Sequence, residues 1–297
     1  MRDALARALA CPNCRGPVAL ADLACPRCAL TFPVLDGSPV LLLPDHPLRA
    51  QLITQGAREP QGRLRRMRNW VVSSIKPEDR VWSRASRRAI GRALAEVDAA
   101  DPGRLVINLG AGLERIFRRS IARHPAVARV GLPHQGRVDV YGDLQQFPLL
   151  SGSADLVMSC SVLEHVVDPE RGVAEMARVT RAGGLVYAEI PFMRSFHMAP
   201  ADFQRYTYSG IEQLFARHGF TTVEKGVCSG PFNAWALMVF DLVNARSGGG
   251  SPSVPARLVH AAVHPFKYLD RLVEDSPRAI VQACAFYYLG RRDPEPR

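Results

Sequence analysis

The chain has 297 residues and seven cysteines, four of which form two Cys-x-x-Cys units. The first unit is Cys11 with Cys14, and the second is Cys25 with Cys28. Two thiolates separated by two residues can face one ion, and two such units complete a tetrahedral Zn²⁺ site. Because sulfur fills all four positions, the spacing predicts a structural site that activates no water. Two disulfides are the alternative for the same spacing.

A second group of candidate residues follows a short apolar run at 105–109, which is typical of a buried parallel strand. Asn108 lies near the end of this run, and Gly110 and Gly112 come directly after it. Glycines at such a point let the backbone approach a ligand and leave helix N-terminal amides facing it. Glycine is also common at tight turns, so the motif alone indicates a cofactor loop only weakly.

The segments that follow alternate between strand and helix patterns. Residues 138–144 and 154–161 are strand-like, and a helix that begins at Asp168-Pro169 is expected to stop at Gly183-Gly184 before the strand 185–190. This alternation predicts an α/β fold with a largely parallel, doubly wound sheet. Ligands of such sheets bind at the carboxyl ends of the strands.

The order of these motifs resembles that of class I S-adenosylmethionine-dependent methyltransferases of the type 11 group. The resemblance rests on Asn108-Leu-Gly110-Ala-Gly112, Gly142-Asp143, Phe147-Pro148, Ser153-Ala-Asp155-Leu, Val162-Leu-Glu164-His165-Val and Arg178-Val-Thr-Arg-Ala-Gly183-Gly184. It implies a Rossmann-like domain whose cofactor is S-adenosylmethionine. By the same resemblance, Asn108, Gly110 and Gly112 hold the methionine part of the cofactor, Asp143 and Leu144 lie beside the adenine, and Ser159 and Ser161 line the sulfonium end.

One position departs from the family pattern. The second strand of this fold normally ends in Asp or Glu, whose carboxylate binds both ribose hydroxyls, but no carboxylate occurs here between Glu114 and Asp139. Loss of these bonds costs about 1.5 to 3 kcal/mol. Three interpretations follow: His134 or Gln135 substitutes, the cofactor binds modestly, or the domain no longer uses it.

Four residues are candidates for the reaction itself. His165 follows the fourth strand, where it is either a general base or a packing and cofactor-contact residue. His197, Asp202 and Arg205 lie in the loop after the fifth strand, where this fold places its substrate. His197 is a second candidate base, with Asp202 orienting it and Arg205 holding an anionic group. In the alternative interpretation, Asp202 and Arg205 form an i, i+3 ion pair that clamps the loop.

The N-terminal segment has a resemblance of its own. Residues 30–43 predict a strand, an Asp36-Gly37 turn and a second strand. Together with the cysteine pairs, residues 9–44 resemble the small zinc-ribbon proteins that activate tRNA and rRNA methyltransferases. This resemblance implies a ribbon attached to a methyltransferase.

Charge distinguishes the segment that joins these two regions. The whole chain carries a formal net charge of +10, and residues 58–92 contain 11 basic and three acidic residues, a local net of +8. Such a segment favours an anionic partner, either RNA or a membrane surface, although an arginine-rich composition explains it equally well.

Four regions are therefore expected: a zinc-ribbon domain at 1–46, a basic and partly helical connector at 47–103, a Rossmann-like methyltransferase domain at 104–228 and a helical C-terminal extension at 229–297. The apolar helices of the extension predict contact with a second copy or a protein partner; a helix at the membrane surface is the alternative. Neither a signal peptide nor an apolar run of about 18 residues is evident, which predicts a cytoplasmic location, with peripheral membrane association left open.

The predicted function is transfer of a methyl group from S-adenosylmethionine to an acceptor that the sequence does not identify. A small molecule, a lipid-linked molecule and RNA are all compatible with the motifs. A non-catalytic, methyltransferase-like binding module that recruits a partner through its ribbon is the alternative.

Overall fold

The computed structural model describes residues 3–55, 83–97, 101, 103–109, 126–132, 138–197, 201–245 and 254–294. Eight α-helices are described: α1 (Asp3–Ala8), α2 (Pro47–Gln55), α3 (Arg84–Glu96), α4 (Pro169–Val179), α5 (Tyr208–Ala216), α6 (Pro231–Asn244), α7 (Val254–Val263) and α8 (Asp270–Val273). Among these described helices, none has both the length and the apolar character needed to cross a bilayer.

The described strands are β1 (Val34–Leu35), β2 (Ser38–Pro39), β3 (Val106–Leu109), β4 (Val127–Gly131), β5 (Val140–Tyr141), β6 (Ala154–Cys160), β7 (Thr180–Pro191), β8 (Phe220–Ser229) and β9 (Ala285–Arg292). The short hairpin β1–β2 turns at Asp36 and Gly37, whose φ angles are 50° and 80°. Positive φ at both central residues is the geometry of a type I′ turn, which Asp-Gly favours. The predicted strand–turn–strand is confirmed, with short strands.

Strands β3–β9 form one sheet in the order β5-β4-β3-β6-β7-β9-β8. All neighbouring pairs from β5 to β7 are parallel, and β9 is antiparallel to both β7 and β8. Side chains of β3 and β6 are buried on both faces, as expected for central strands covered by helices. The predicted α/β fold with a mostly parallel sheet is therefore confirmed.

Helix α4 begins where the sequence predicted but ends earlier. Asp168 caps it by accepting from the Arg171 N–H at 3.0 Å, and the predicted apolar stripe at Val173 and Met176 is fully buried. The helix ends at Val179, and β7 starts at the next residue. The expectation of a stop at Gly183-Gly184 was wrong, because these glycines lie within β7, where Gly183 has a φ of +72°.

The C-terminal region is the largest difference from the sequence prediction. Residues 285–292, expected to end a helical extension, form β9 in the interior of the sheet between β7 and β8. Helices α6–α8 are therefore an insertion between two sheet strands. Phe286, Tyr287 and Tyr288 are buried, as aromatic residues of a central strand usually are. The strand was missed because its nearest partner in the sequence, β8, ends at Ser229, and helices separate the two strands along the chain.

We call residues 3–46 the N-terminal module. This module packs against the β5 edge of the sheet. Val40 forms a parallel bridge with Tyr141, and the Leu41 N–H donates to the Tyr141 carbonyl at 2.9 Å. Farther along, the Ala10 N–H donates to the Pro148 carbonyl at 2.9 Å. An uncovered strand edge exposes unpaired backbone groups, and this module covers part of that edge.

Part of the predicted connector is a well-packed helix. Helix α3 buries Ala89, Ile90, Ala93 and Leu94 against the sheet. Two of its arginines form ion pairs within the chain, Arg84 with Glu274 and Arg92 with Glu224. Residues 56–82 of the connector lie outside the described residues.

The start of α6 is capped by a residue that is distant in sequence. Asp270 is buried, with 3% of its surface exposed. Its carboxylate accepts hydrogen bonds from the backbone N–H groups of Gly230, Phe232 and Asn233 at 2.8–3.2 Å. A carboxylate at this end of a helix also interacts favourably with the helix dipole. Burial nonetheless raises the pKa of Asp270 from 3.8 to about 6.

Replacing Asp270 with Asn is expected to remove a pH dependence of stability. A carboxyl with a raised pKa holds its proton more tightly in the folded state, so its contribution is present at pH 4 and is lost as the pH rises through about 6. The shift corresponds to roughly 2–3 kcal/mol. Urea unfolding of wild type and Asp270→Asn at pH 4 and pH 7 measures the difference. The exposed Asp275→Asn is the control, and an equal pH dependence in all three proteins would contradict the assignment.

Candidate functional site

Two buried polar side chains lie near the carboxyl edge of the sheet, on the adjacent strands β3 and β6 and on opposite faces of the sheet. Asn108 near the end of β3 pairs with Met158 of β6, and Leu109 pairs with Ser159. Asn108 and Ser159 are fully buried, and no described residue forms a hydrogen bond with the Asn108 amide or the Ser159 hydroxyl. Buried polar atoms without partners are costly, so these two groups suit a polar ligand at this edge.

Asp143, a predicted adenine contact, lies two residues after the end of β5. Its Oδ1 accepts from the Gln145 N–H at 2.9 Å, and its Oδ2 lies 3.4 Å from Nε2 of His46. Leu144, the second predicted contact, is buried in the following turn. His46 comes from the N-terminal module and was not a candidate in the sequence. Its contact links that module to the predicted adenine end of the site.

The chain leaves β6 through an unusual backbone conformation. Ser161 has a φ of +53°, and its N–H donates to the Glu189 carbonyl at 2.9 Å. A turn of 3₁₀-helix at Leu163–His165 follows. This bend places Glu164 and His165 directly beyond the strand. Ser159, Ser161 and His165 therefore lie in one short segment at the carboxyl end of β6, and their contacts with cofactor and acceptor stay predictions.

A cluster of two histidines and one glutamate lies beyond β6 and β7. Nε2 of His165 is 3.7 Å from Oε1 of Glu164, and Nε2 of His197 is 3.8 Å from the same oxygen. The two imidazole rings contact each other edge to face, with 5.1 Å between centroids. Glu164 is fully buried, and the side chains of His165 and His197 are 13% and 24% exposed. The two predicted candidate bases thus share one site, and Glu164 joins them.

Asp202 and Arg205 hold the loop that carries His197. Asp202 forms an ion pair with Arg205 and accepts from the His197 backbone N–H at 2.8 Å. Arg205 also donates to the carbonyls of Arg194 and Ser195, both at 3.3 Å. These contacts match the predicted loop clamp. Asp202 lies 3.4 Å from Nδ1 of His197 as well, whereas a contact between Arg205 and an anionic substrate stays a prediction.

The electrostatics of this loop keep both ionisable groups in a defined state. The Arg205 guanidinium lowers the pKa of Asp202 to about 2, so this carboxylate is charged at neutral pH. Burial, with the nearby Arg194 guanidinium, lowers the pKa of His197 to about 4. Neutral imidazole is therefore the form of His197 at pH 7, and its conjugate acid holds a proton only weakly.

Gln204 connects the loop after β7 to the turn after β6. Its side-chain amide donates to the carbonyls of Leu163 and Val166 at 2.6 and 2.8 Å, and the Phe203 N–H donates to the Glu164 carbonyl at 2.8 Å. Sequence reasoning missed Gln204, because a lone glutamine carries no spacing signal. Glu164 stood within a motif, but its burial beside two imidazoles depends on contacts between distant segments.

The four cysteines of the N-terminal module lie together. Their sulfur atoms all lie within 4.8 Å of one another, and none of the four forms a disulfide: Cys11, Cys14, Cys25 and Cys28. After each pair the chain adopts positive φ, 58° at Arg15 and 54° at Ala29, which turns the backbone around the sulfurs. Four thiols at this spacing could hold one tetrahedral ion.

Gly110, Gly112 and residues 133–137, where the ribose carboxylate is missing, lie outside the described residues.

Comparison with known proteins gives matches to a family model, to related sequences and to solved structures. Residues 121–188 match the model of a methyltransferase domain. A Mycolicibacterium smegmatis protein named as a probable S-adenosylmethionine-dependent methyltransferase is 27% identical over 248 residues, which cover 78% of this chain and 86% of that protein. Demethylmenaquinone methyltransferase of Mycolicibacterium paratuberculosis is 32% identical over 115 residues, covering 36% of this chain and 46% of that enzyme. The cyclopropane synthase MmaA2 of Mycobacterium tuberculosis aligns with a TM-score of 0.43 and 15% identity over 72% of this chain and 87% of that chain.

The protein is an S-adenosylmethionine-dependent methyltransferase. The matched segment contains β4 to β6 and most of β7, and with them Asp143, Ser159 and His165. Three candidate residues of the methyltransferase therefore lie on elements that follow one another along the chain. Asp143 follows β5, Ser159 lies in β6, and His165 lies in the turn after β6. Asn108 precedes the matched segment, and its amide, which has no hydrogen-bond partner among the described residues, is the structural observation that best fits a polar cofactor at this edge.

Replacing Asn108 with Leu is expected to separate cofactor binding from stability. A buried amide without partners costs about 1–3 kcal/mol, so removing it should leave thermal stability unchanged or higher. The affinity for S-adenosylhomocysteine should fall at least tenfold, which is about 1.4 kcal/mol. Isothermal titration and thermal unfolding measure the two effects.

Asn233→Leu is the matched control, because the Asn233 amide already donates to the Ser229 hydroxyl at 2.8 Å. It should lose stability and retain affinity. A destabilised Asn108→Leu with unchanged affinity would make Asn108 a structural residue.

Proposed function

We propose that the methyltransferase acts on a small molecule whose nucleophilic atom binds between His165 and His197. The observation that carries this proposal is the pair of imidazoles whose Nε2 atoms lie 3.7 and 3.8 Å from one buried carboxylate oxygen. Both rings lie beyond β6 and β7, next to the edge where Asn108 and Ser159 suit the cofactor. Donor and acceptor would then meet at the carboxyl ends of the central strands.

The chemistry follows from the properties of a sulfonium. S-adenosylmethionine supplies an electrophilic methyl group when it is bound. A lone pair of the acceptor forms a bond to the methyl carbon while the carbon–sulfur bond breaks, and that electron pair stays on sulfur in S-adenosylhomocysteine. A protonated acceptor also loses its proton to water or a base. The residues must mainly align the two reactants, and alignment alone can supply a large part of the rate.

His197 is better suited to orienting the acceptor than to removing a strongly held proton. With a pKa of about 4, its imidazole accepts a hydrogen bond at neutral pH but retains a transferred proton poorly. Asp202 and Arg205 would act as positioning residues through the loop that they hold. Such a site favours an acceptor that ionises readily or carries a free lone pair.

A small acceptor fits the surroundings better than RNA does. The two imidazoles are largely buried, and a base in a nucleic acid would need to be extruded to reach them. In the described part of the basic connector, Arg84 and Arg92 are already paired with glutamates. RNA and lipid-linked acceptors, and an anionic partner at the connector, remain alternatives that the experiment below distinguishes.

We also propose that Cys11, Cys14, Cys25 and Cys28 hold one structural Zn²⁺ in an N-terminal zinc ribbon. The clustered thiols support this assignment. The ribbon would brace the cofactor end of the site through the contact between His46 and Asp143. The exposed apolar side chains Trp235, Leu242, Leu258 and Leu272 support contact of the C-terminal helices with a partner or a second copy.

Methyl transfer can be followed without knowing the acceptor. The 297-residue chain is incubated with methyl-labelled S-adenosylmethionine and a cell extract that is then separated into small-molecule, lipid and RNA fractions. We expect label in the small-molecule fraction and at least tenfold less with His197→Gln, because the acceptor loses a positioning contact. His218→Gln is the control, since the His218 side chain is buried to a similar degree but contacts Glu170 instead of Glu164.

Label in the RNA or lipid fraction would refute the small-molecule acceptor. If neither S-adenosylmethionine nor S-adenosylhomocysteine bound in a calorimetric titration, the result would favour the non-catalytic module.

The ribbon assignment is tested by metal content. The double variant Cys14→Ser/Cys28→Ser is expected to lose one Zn²⁺ per chain and to unfold at a lower temperature, because so small a module depends on its ion for folding. Mass spectrometry of bound metal and thermal unfolding measure this. Cys284→Ser, a buried thiol elsewhere, should retain the ion. Unchanged zinc in the double variant, or oxidised cysteine pairs in wild type, would contradict it.

A further inference from the structure

The cluster of Glu164, His165 and His197 has features that acceptor binding does not require. Its three ligand atoms, one carboxylate oxygen and two imidazole nitrogens, all lie within 4.8 Å of one another. The nitrogen-to-oxygen distances of 3.7 and 3.8 Å are longer than hydrogen bonds, whose limit is about 3.2 Å. The three groups therefore converge on one point without bonding to each other.

These distances suit an ion between the three atoms. Metal bonds of about 2.0–2.1 Å place tetrahedral ligands roughly 3.3 Å apart, so each nitrogen-to-oxygen distance would need to shorten by only about half an ångström. Two imidazoles with one carboxylate are a ligand set that first-row divalent metals take, with positions left open for water or substrate.

The opposite side of each imidazole supports the same interpretation. Nδ1 of His165 faces the Ala201 carbonyl, and Nδ1 of His197 lies 3.2 Å from the Ser195 carbonyl. A carbonyl oxygen can only accept, so each Nδ1 carries the proton and each Nε2 keeps its lone pair toward Glu164. Metal-bound histidines are usually held in this way by backbone carbonyls.

Arg205 does not reverse the tautomer of His197. Its Nη2 lies 3.3 Å from Nδ1 of His197 but donates to Oδ2 of Asp202 at the shorter distance of 2.6 Å. That same carboxylate oxygen lies 3.4 Å from Nδ1 and is a second acceptor for its proton.

The backbone also holds the three residues in place. Glu164 and His165 are consecutive in one 3₁₀ turn, and His197 comes from the loop after β7. Phe203 and Gln204 tie the two segments together with three hydrogen bonds of 2.6–2.8 Å. The ligand atoms are thus brought together by contacts that do not depend on an ion, which favours binding.

We propose that Glu164, His165 and His197 form a second metal site, which takes Zn²⁺ or another first-row divalent ion in addition to the ion of the four cysteines. If the proposed methyl transfer also holds, the open positions would bind an oxygen of the acceptor. A bound hydroxyl would release its proton to water at lower pH, and its oxygen would then attack the methyl carbon. The acceptor class would be ionisable hydroxyl compounds such as phenols and hydroxy acids.

Reconstitution with Co²⁺ distinguishes the two metal sites in the full chain. After treatment with a chelator, the wild type is expected to bind two Co²⁺ per chain, one with the intense near-ultraviolet absorption of cobalt–thiolate bonds and one without it. His165→Gln, His197→Gln and Glu164→Gln should bind the second ion at least tenfold more weakly. Their cobalt–thiolate absorption should be unchanged, which also reports that the chain is folded.

His218→Gln, a similarly buried histidine that contacts Glu170 instead of Glu164, is the control and should bind both ions as tightly as wild type. One Co²⁺ per chain in wild type, or a second ion that persists in the three cluster variants, would overturn the metal site. Titration of S-adenosylhomocysteine on the same samples is a separate test. Cofactor binding without the second ion would remove only the metal site, whereas the second ion without cofactor binding would remove only the methyl transfer.

Discussion

The parallel pairing of β6 with both β3 and β7 is the constraint on which the site depends. Parallel strands end at the same edge of a sheet, so the segments that follow them must meet there. Asn108 and Ser159 each lie one residue before the end of their strand, and the turn of Glu164 and the loop of His197 leave the sheet at the same edge. The strand register already brings these two segments together, and the hydrogen bonds of Gln204 only fix their relative position.

The elements that are encoded locally could be predicted from the sequence. The apolar runs of β3 and β6, the Asp-Pro start of α4 and the Asp-Gly turn each depend on a few adjacent residues, and each lies where it was expected. Each cysteine pair belongs to this class as well, because its spacing brings two sulfurs together, whereas the meeting of the two pairs depends on the chain between them. Asn108 and Ser159 were found as candidates through motif order, although their missing partners became visible only in three dimensions.

The remaining features depend on contacts between distant segments, which leave no local pattern. Strand β9 was hidden within a region of helices, and its aromatic residues gain their strand neighbours only from β7 and β8. The helix cap by Asp270 crosses about 40 residues, and His46 reaches Asp143 across about 100. Glu164 could be read as part of a motif, but its position between two imidazoles required the loop after β7.

The insertion of β9 between β7 and β8 has a consequence for how the chain is made. A ribosome releases β7 and β8 before β9, so for a time these two strands have no neighbour on the sides that will face β9. Unpaired strand edges are places where nascent chains associate with one another. The helices α6–α8 are synthesised between β8 and β9, so they lengthen the time for which β7 and β8 lack this neighbour. Synthesis order therefore makes the β7–β9–β8 side of the sheet the part that stays incomplete longest during translation.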